Sequence, residues 1–190
     1  MYYKLIYLKK HKHHFILVNK KILNFIKLCL VFQYYIVHIV SKVLQKLNEL
    51  NIQLPYVSSP VANYISSNKS GNLLYLSGQL PKNESSFICG KLGENISIED
   101  AQKAAELCTL HAFAQVKKEI GDLDLIKKCV KINVFINATP DFKEHPMVAN
   151  GASDLMVKIL GENGKHARSA FGVSSLPFGA CVEVEVIFEI

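Results

Sequence analysis

The last ten residues, Cys181-Val-Glu-Val-Glu-Val-Ile-Phe-Glu-Ile190, alternate in character with a period of two. Valines at 182, 184 and 186 separate from glutamates at 183, 185 and 189 only in an extended strand, where successive side chains point to opposite faces. A helix would scatter the same residues around its circumference. The run predicts a half-buried strand, which needs other strands beside it and a layer packed against its apolar side.

The rest of the chain supplies that layer. Ser97 is placed to cap a long helix, with Glu99 and Asp100 in the positive first turn and Asp100 at the capping-box position. Ala101, Ala104, Ala105, Cys108, Ala112 and Val116 give this helix a small-residue face suited to lying close on a sheet, and Gly121 ends it. Pro146 opens a second helix through Val148, Leu155, Met156 and Ile159 to a stop at Gly161. Strands are predicted at 72–77, 125–136, 167–173 and 181–190, the first opened by the turn residues Ser70-Gly71-Asn72. This order implies an α+β domain, a sheet with two helices packed on one face.

The first forty residues read differently. Residues 1–48 hold nine lysines and no acid, so the formal net charge of +6 resides there. Residues 49–190 hold thirteen basic and sixteen acidic groups, a net of about −3. A basic tract, Lys9-Lys-His-Lys-His-His14, precedes a nearly continuous apolar run from Ile22 to Val40 that contains Lys27, Gln33 and His38. Those polar residues make membrane insertion marginal, and neither a signal peptide nor a transit peptide fits. Ser41 is a natural N-cap for a helix presenting Val43, Leu44, Leu47 and Leu50 on one face. The expected division is therefore an extension, residues 1–40, and a domain, residues 41–190. The extension is either translated upstream sequence or an anchor; the first fits better, and a cytoplasmic location without a membrane partner is expected.

The five cysteines are odd in number and widely spaced, with no pair at zinc-ligand spacing, which argues against a metal site or disulfide framework. Reduced, mostly buried thiols are the simplest account. The acidic balance of residues 49–190 offers nucleic acid no basic surface, so none is expected as a partner.

Arg168 is the only arginine; the other 21 basic side chains are lysine. A composition so committed to lysine has little use for arginine as a generic surface charge. Either Arg168 is structural, capping carbonyls or pairing with an acid, or it supplies a planar fork for a carboxylate or phosphate. Glu183 alone is open in the same way, since glutamates of one parity on a terminal strand are commonly a solvated face. Tyr64, Asn150 and Ser153 taken singly are ordinary loop or turn residues. His111 reads as structural, and His166 as a partly buried, hydrogen-bonded histidine on the same face as Arg168.

Taken together, Ser77-Gly-Gln-Leu-Pro81, Val134-Phe-Ile136, Asn150-Gly-Ala-Ser-Asp-Leu155, His166-Ala-Arg-Ser169, Leu176-Pro177 and Val182-Glu-Val-Glu185 resemble the Rid (YjgF/YER057c/UK114) family, over roughly residues 41–190. Members of this family hydrolyse reactive enamines and imines and have also been labelled endoribonuclease L-PSP. The resemblance implies a chorismate-mutase-like mixed sheet and a homotrimer with active sites at subunit clefts. It implies that Arg168 binds the substrate carboxylate, that Glu183 positions the hydrolytic water, and that Tyr64 from another subunit helps line the pocket. Ser77, Gly78 and Asn150 fall on pocket-proximal positions, and Ala170, where many members carry cysteine, contributes its main-chain carbonyl. His166 stands where many members have proline, and residues 145–148 resemble a short insertion beside the pocket.

The chemistry these residues suit is hydrolysis of a 2-imino acid: Arg168 fixes the carboxylate and Glu183 assists water at the adjacent C=N carbon. No cofactor is required. The expected activity is that of a 2-iminobutanoate/2-iminopropanoate deaminase acting on small 2-imino acids. RNA cleavage or translation inhibition, and a non-catalytic ligand-binding trimer, are the alternatives.

Overall fold

A computed structural model describes residues 41–57 and 63–190. Lys42–Ile190 forms one compact unit. The expectations for residues 1–40 lie outside the described residues. Among the described residues no helix is long and apolar enough to cross a membrane.

In chain order the elements are helix α1 (Lys42–Glu49), strands β1 (Ser67–Ser70) and β2 (Leu73–Leu76), helix α2 (Ile98–Ile120), strand β3 (Lys128–Asn137), helix α3 (His145–Leu160), and strands β4 (Ala167–Val173) and β5 (Val182–Glu189). They form one five-stranded sheet in the order β1-β2-β5-β3-β4. Only β3 and β4 pair in parallel, joined by α3 as a crossover; the other neighbours are antiparallel, so the sheet is mixed.

The period-two pattern behaves as its chemistry requires. Val182, Val184, Val186 and Phe188 are fully buried, and in register beside β5 lie Ile132, Val134 and Ile136 of β3. This face carries α2 and α3. The other face bears Glu183, Glu185 and Ile187 on β5, Lys131, Asn133 and Phe135 on β3, and Ser169 and Phe171 on β4.

The caps of α2 form as read. Ser97 Oγ accepts from the Asp100 amide at 3.0 Å, and Gly121 closes the helix at φ 81°. Its alanine face permits close approach by α3: a Cβ on Gly151 would stand 2.8 Å from the Gln102 carbonyl carbon. The buried glycine thus sets the spacing of the two helices and, through it, where α3 lies over β4.

One expectation is met and one is corrected. The helix expected from Ser41 forms as α1, so the domain has three helices, two of them on the sheet face; α1 packs its buried Val43 and Leu47 toward α3 and the turn at Leu123–Leu125. Its first two amides donate to the carboxylate of Asp124, at 2.7 and 2.9 Å, a partner some 80 residues away. The strand expected at 72–77 is one arm of a hairpin; its other arm, Ser67-Asn-Lys-Ser70, lacks any hydrophobic residue and pairs because Gly71 adopts φ 60° at the turn.

Candidate functional site

The residues singled out in the sequence gather into two clusters. The first lies around the end of β2 and the start of β5. Ser77 Oγ donates to the Ile65 carbonyl at 2.8 Å, and the Ser77 amide donates to Ser66 O, tethering the segment that carries Tyr64. Gln115 reinforces it from α2 by donating to Ser66 Oγ at 2.6 Å. Tyr64 itself is exposed.

Gly78 and Glu183 meet directly. A Cβ at position 78 would fall on Glu183 Oε1, 2.6 Å from its carboxyl carbon and 3.0 Å from Cγ. Only glycine lets the carboxylate rest there, which explains a glycine whose backbone needs no left-handed conformation. Glu183 is half-buried, and burial raises its pKa above the usual carboxylate value, with Glu185 adding repulsion of like charge.

The second cluster joins α3 to β4. Pro146, Asn150 and Ser153 stand at i, i+4 and i+7 on one face of α3, and all three contact Arg168. Arg168 Nη1 donates to Asn150 Oδ1 at 2.9 Å and to Ser153 Oγ at 3.1 Å. His166 Nε2 lies 2.9 Å from Ser153 Oγ, and its Nδ1 lies 2.6 Å from the Gly164 carbonyl. Burial lowers the pKa of His166, and the charge of Arg168 pushes it in the same direction. Ala170 follows on the same face of β4.

Ser153 is the functional candidate that sequence reasoning passed over. Its signal was the spacing from Asn150 on a helix facing the strand that bears the only arginine. His111, expected to be structural, is buried in α2 with Nε2 at 2.7 Å from the Lys82 carbonyl, and burial lowers its pKa.

Within one chain the two clusters do not converge. Arg168 is in register with Ile132 and so projects from the helix-bearing face, whereas Glu183 is in register with Phe135 on the opposite face. Tyr64 lies just before β1, at the sheet edge opposite β4; four strand spacings separate those edges, roughly 19 Å. One small molecule cannot touch Arg168, Glu183 and Tyr64 of the same chain.

Of the four described cysteines, Cys108, Cys129 and Cys181 are buried as expected and Cys89 is exposed; Cys29 lies outside the described residues. Burial raises the thiol pKa of Cys129 to about 12 and of Cys181 to about 11. Among the described residues no group of His, Cys, Asp and Glu is arranged to hold a metal ion.

Comparison with known proteins places this arrangement. Residues 45–190 match the family described as "YjgF/chorismate mutase-like, putative endoribonuclease". "Protein TCP17" of Trypanosoma cruzi is 46% identical over 152 residues, covering 79% of this chain and 95% of that protein. The crystal structure of the protein Atu1372 of Agrobacterium tumefaciens, described as of unknown function, is 45% identical with a TM-score of 0.72, over 78% of this chain and 93% of that one. A structure from Shewanella oneidensis, described as a "putative endoribonuclease", is 30% identical with a TM-score of 0.75, over 78% of this chain and 99% of that one.

Proposed function

The chain belongs to the YjgF/Rid family, and from that premise we propose that it hydrolyses reactive 2-imino and enamine acids to 2-oxo acids and ammonia. The observation that carries this reading is the half-buried carboxylate of Glu183 seated against Gly78, its proton affinity raised by burial. A group acting as general base near neutrality works best when its pKa is drawn upward in this way.

In the proposed reaction Arg168 holds the substrate carboxylate and so fixes the neighbouring C=N carbon. Water attacks that carbon as Glu183 takes its proton; the C=N π pair moves to nitrogen, to which Glu183 passes that proton on. The tetrahedral intermediate then breaks its C–N bond as its hydroxyl proton is carried by Glu183 to the departing nitrogen, releasing ammonia and leaving a 2-oxo acid. General-base help of this kind is worth about 10²–10⁴-fold.

Because Arg168 and Glu183 occupy opposite faces of one sheet, the proposal includes a site shared between subunits of a homotrimer. Exposed Tyr75 and Phe171 on the sheet face opposite the helices supply apolar surface for such an assembly, and the outer edge of β4, unpaired among the described residues, supplies backbone donors and acceptors. Light scattering on the domain from Ser41 should give three times the monomer mass.

The description of the Shewanella relative favours a second reading, RNA cleavage. The net charge of about −3 over residues 49–190 weighs against it, since phosphate contacts dominate RNA affinity. One experiment separates the two. The purified protein is added to an amino-acid oxidase reaction generating 2-iminobutanoate, and ammonia is timed; faster release in its presence supports deamination. No acceleration, together with RNA cleavage abolished by Glu183→Gln, would transfer the site to the second reading.

A further inference from the structure

We propose that Ser153 and His166 are positioning residues that lock the Arg168 guanidinium, so that only its Nε–Nη2 edge is offered to a ligand and a carboxylate binds there side-on. The choice of ligand rests on the proposed deaminase reading; the lock itself rests on hydrogen-bond geometry.

A guanidinium has two forks usable by a carboxylate: the end-on pair Nη1 and Nη2, and the side-on pair Nε and Nη2. Nη1 carries two hydrogens, and Asn150 Oδ1 and Ser153 Oγ accept both. The end-on fork is thereby consumed. Nη2 makes one long contact with the Pro146 carbonyl, 3.5 Å, which engages at most one of its two hydrogens. What remains is Nε–H together with Nη2, whose 3.5 Å contact is too long to hold either of its hydrogens firmly, two donors spaced for a carboxylate.

The polarity of the network is fixed from its far end. The Gly164 carbonyl can only accept, so the His166 nitrogen 2.6 Å away, Nδ1, carries a hydrogen. Ser153 Oγ accepts from Arg168 and must send its single hydrogen elsewhere. Nε2 of a neutral His166, at 2.9 Å, is the acceptor. Each group in the series Gly164, His166, Ser153, Arg168 thus has one role, and a guanidinium that would otherwise rotate is held. The lowered proton affinity of the half-buried His166 keeps the ring in the neutral form this requires.

Because Arg168 is the only arginine, labelling with ¹⁵N-arginine gives a single side-chain spin system. In the wild-type protein the two Nη nitrogens should give separate resonances, reporting slow rotation of a held guanidinium. Ser153→Ala and His166→Phe should merge them into one averaged signal, whereas His166→Gln, whose Oε1 can accept from Ser153, should keep them apart. In parallel, the Kd of 2-oxobutanoate should rise about tenfold in Ser153→Ala and His166→Phe, the loss expected from one charged hydrogen bond, and stay near wild type in His166→Gln. Averaged Nη signals in the wild type, or a spectrum and Kd unchanged by Ser153→Ala, would overturn the lock. If His166→Phe fails to fold, Ser153→Ala decides alone. A protein that shows the resolved signals yet binds 2-oxobutanoate no better than Arg168→Lys would keep the lock and remove the carboxylate assignment, and with it that part of the deaminase reading.

Discussion

Gly78→Ala isolates the placement of the Glu183 carboxylate from its chemistry. The added methyl would lie 2.6 Å from the Glu183 carboxyl carbon and 3.0 Å from Cγ, against about 3.5–4.0 Å for ordinary carbon contacts. The carboxylate must therefore swing away by about 1 Å, and a displacement of that size at a reacting group costs about 10²-fold in rate. The fold should feel little. The atoms displaced are the end of a flexible side chain, and alanine restricts the unfolded chain enough to return about 0.4–1 kcal/mol. Thermal melting followed by circular dichroism should show a Tm within a few degrees of wild type, while ammonia release from 2-iminobutanoate falls about a hundredfold. Combining Gly78→Ala with Glu183→Gln should cost no more than Glu183→Gln alone, because both changes act on one group. Undiminished turnover in Gly78→Ala would show that the position of this carboxylate does not matter to the reaction.

Arg168→Lys keeps the charge but loses the planar fork, so kcat/KM should fall by about one to two decades with folding intact, as steady-state kinetics would record. The deamination rate should rise with pH as Glu183 ionises, with a midpoint above the ordinary glutamate value, and this limb should disappear in Glu183→Gln. Gly151→Ala should destabilise the domain by about 1–3 kcal/mol in urea unfolding, since the new methyl meets the backbone of Gln102 and the helices must separate. His111 and His166 both have folded pKa values below the ordinary 6.5, so between those values and 6.5 the unfolded chain binds more protons. Their contribution is complete above pH 6.5 and is lost as the pH falls toward the folded values; the double variant His111→Gln/His166→Gln should show a flatter Tm between pH 7 and 5.

Much of this architecture was legible because its signals are local. The alternation at 181–190, the capping pair Ser97 and Asp100, Pro146 at the start of a helix and glycines at 121 and 161 each fix a boundary through nearest neighbours. What escaped depends on distant parts of the chain. Strand β1 has no hydrophobic pattern and forms through its hairpin with β2, and α1 is capped by Asp124 across the fold. The same division runs through the site. Arg168 stood out by its singularity, but the role of Ser153 appears only when α3 crosses β4 and brings His166 alongside. That Arg168 and Glu183 face away from each other follows from the register of β4, β3 and β5, which residue types alone do not encode.

That opposition makes subunit complementation the most direct test of a shared site. Arg168→Lys and Glu183→Gln, each strongly impaired alone, are unfolded together at equal concentration, refolded, and assayed for ammonia release from 2-iminobutanoate. If each site takes Arg168 from one subunit and Glu183 from its neighbour, random mixing leaves about a quarter of the sites with both native residues, and about a quarter of wild-type activity should return. A refolded mixture that forms trimers yet shows no more activity than the average of its parents would place both residues in one chain's site, or in none, and would contradict the account.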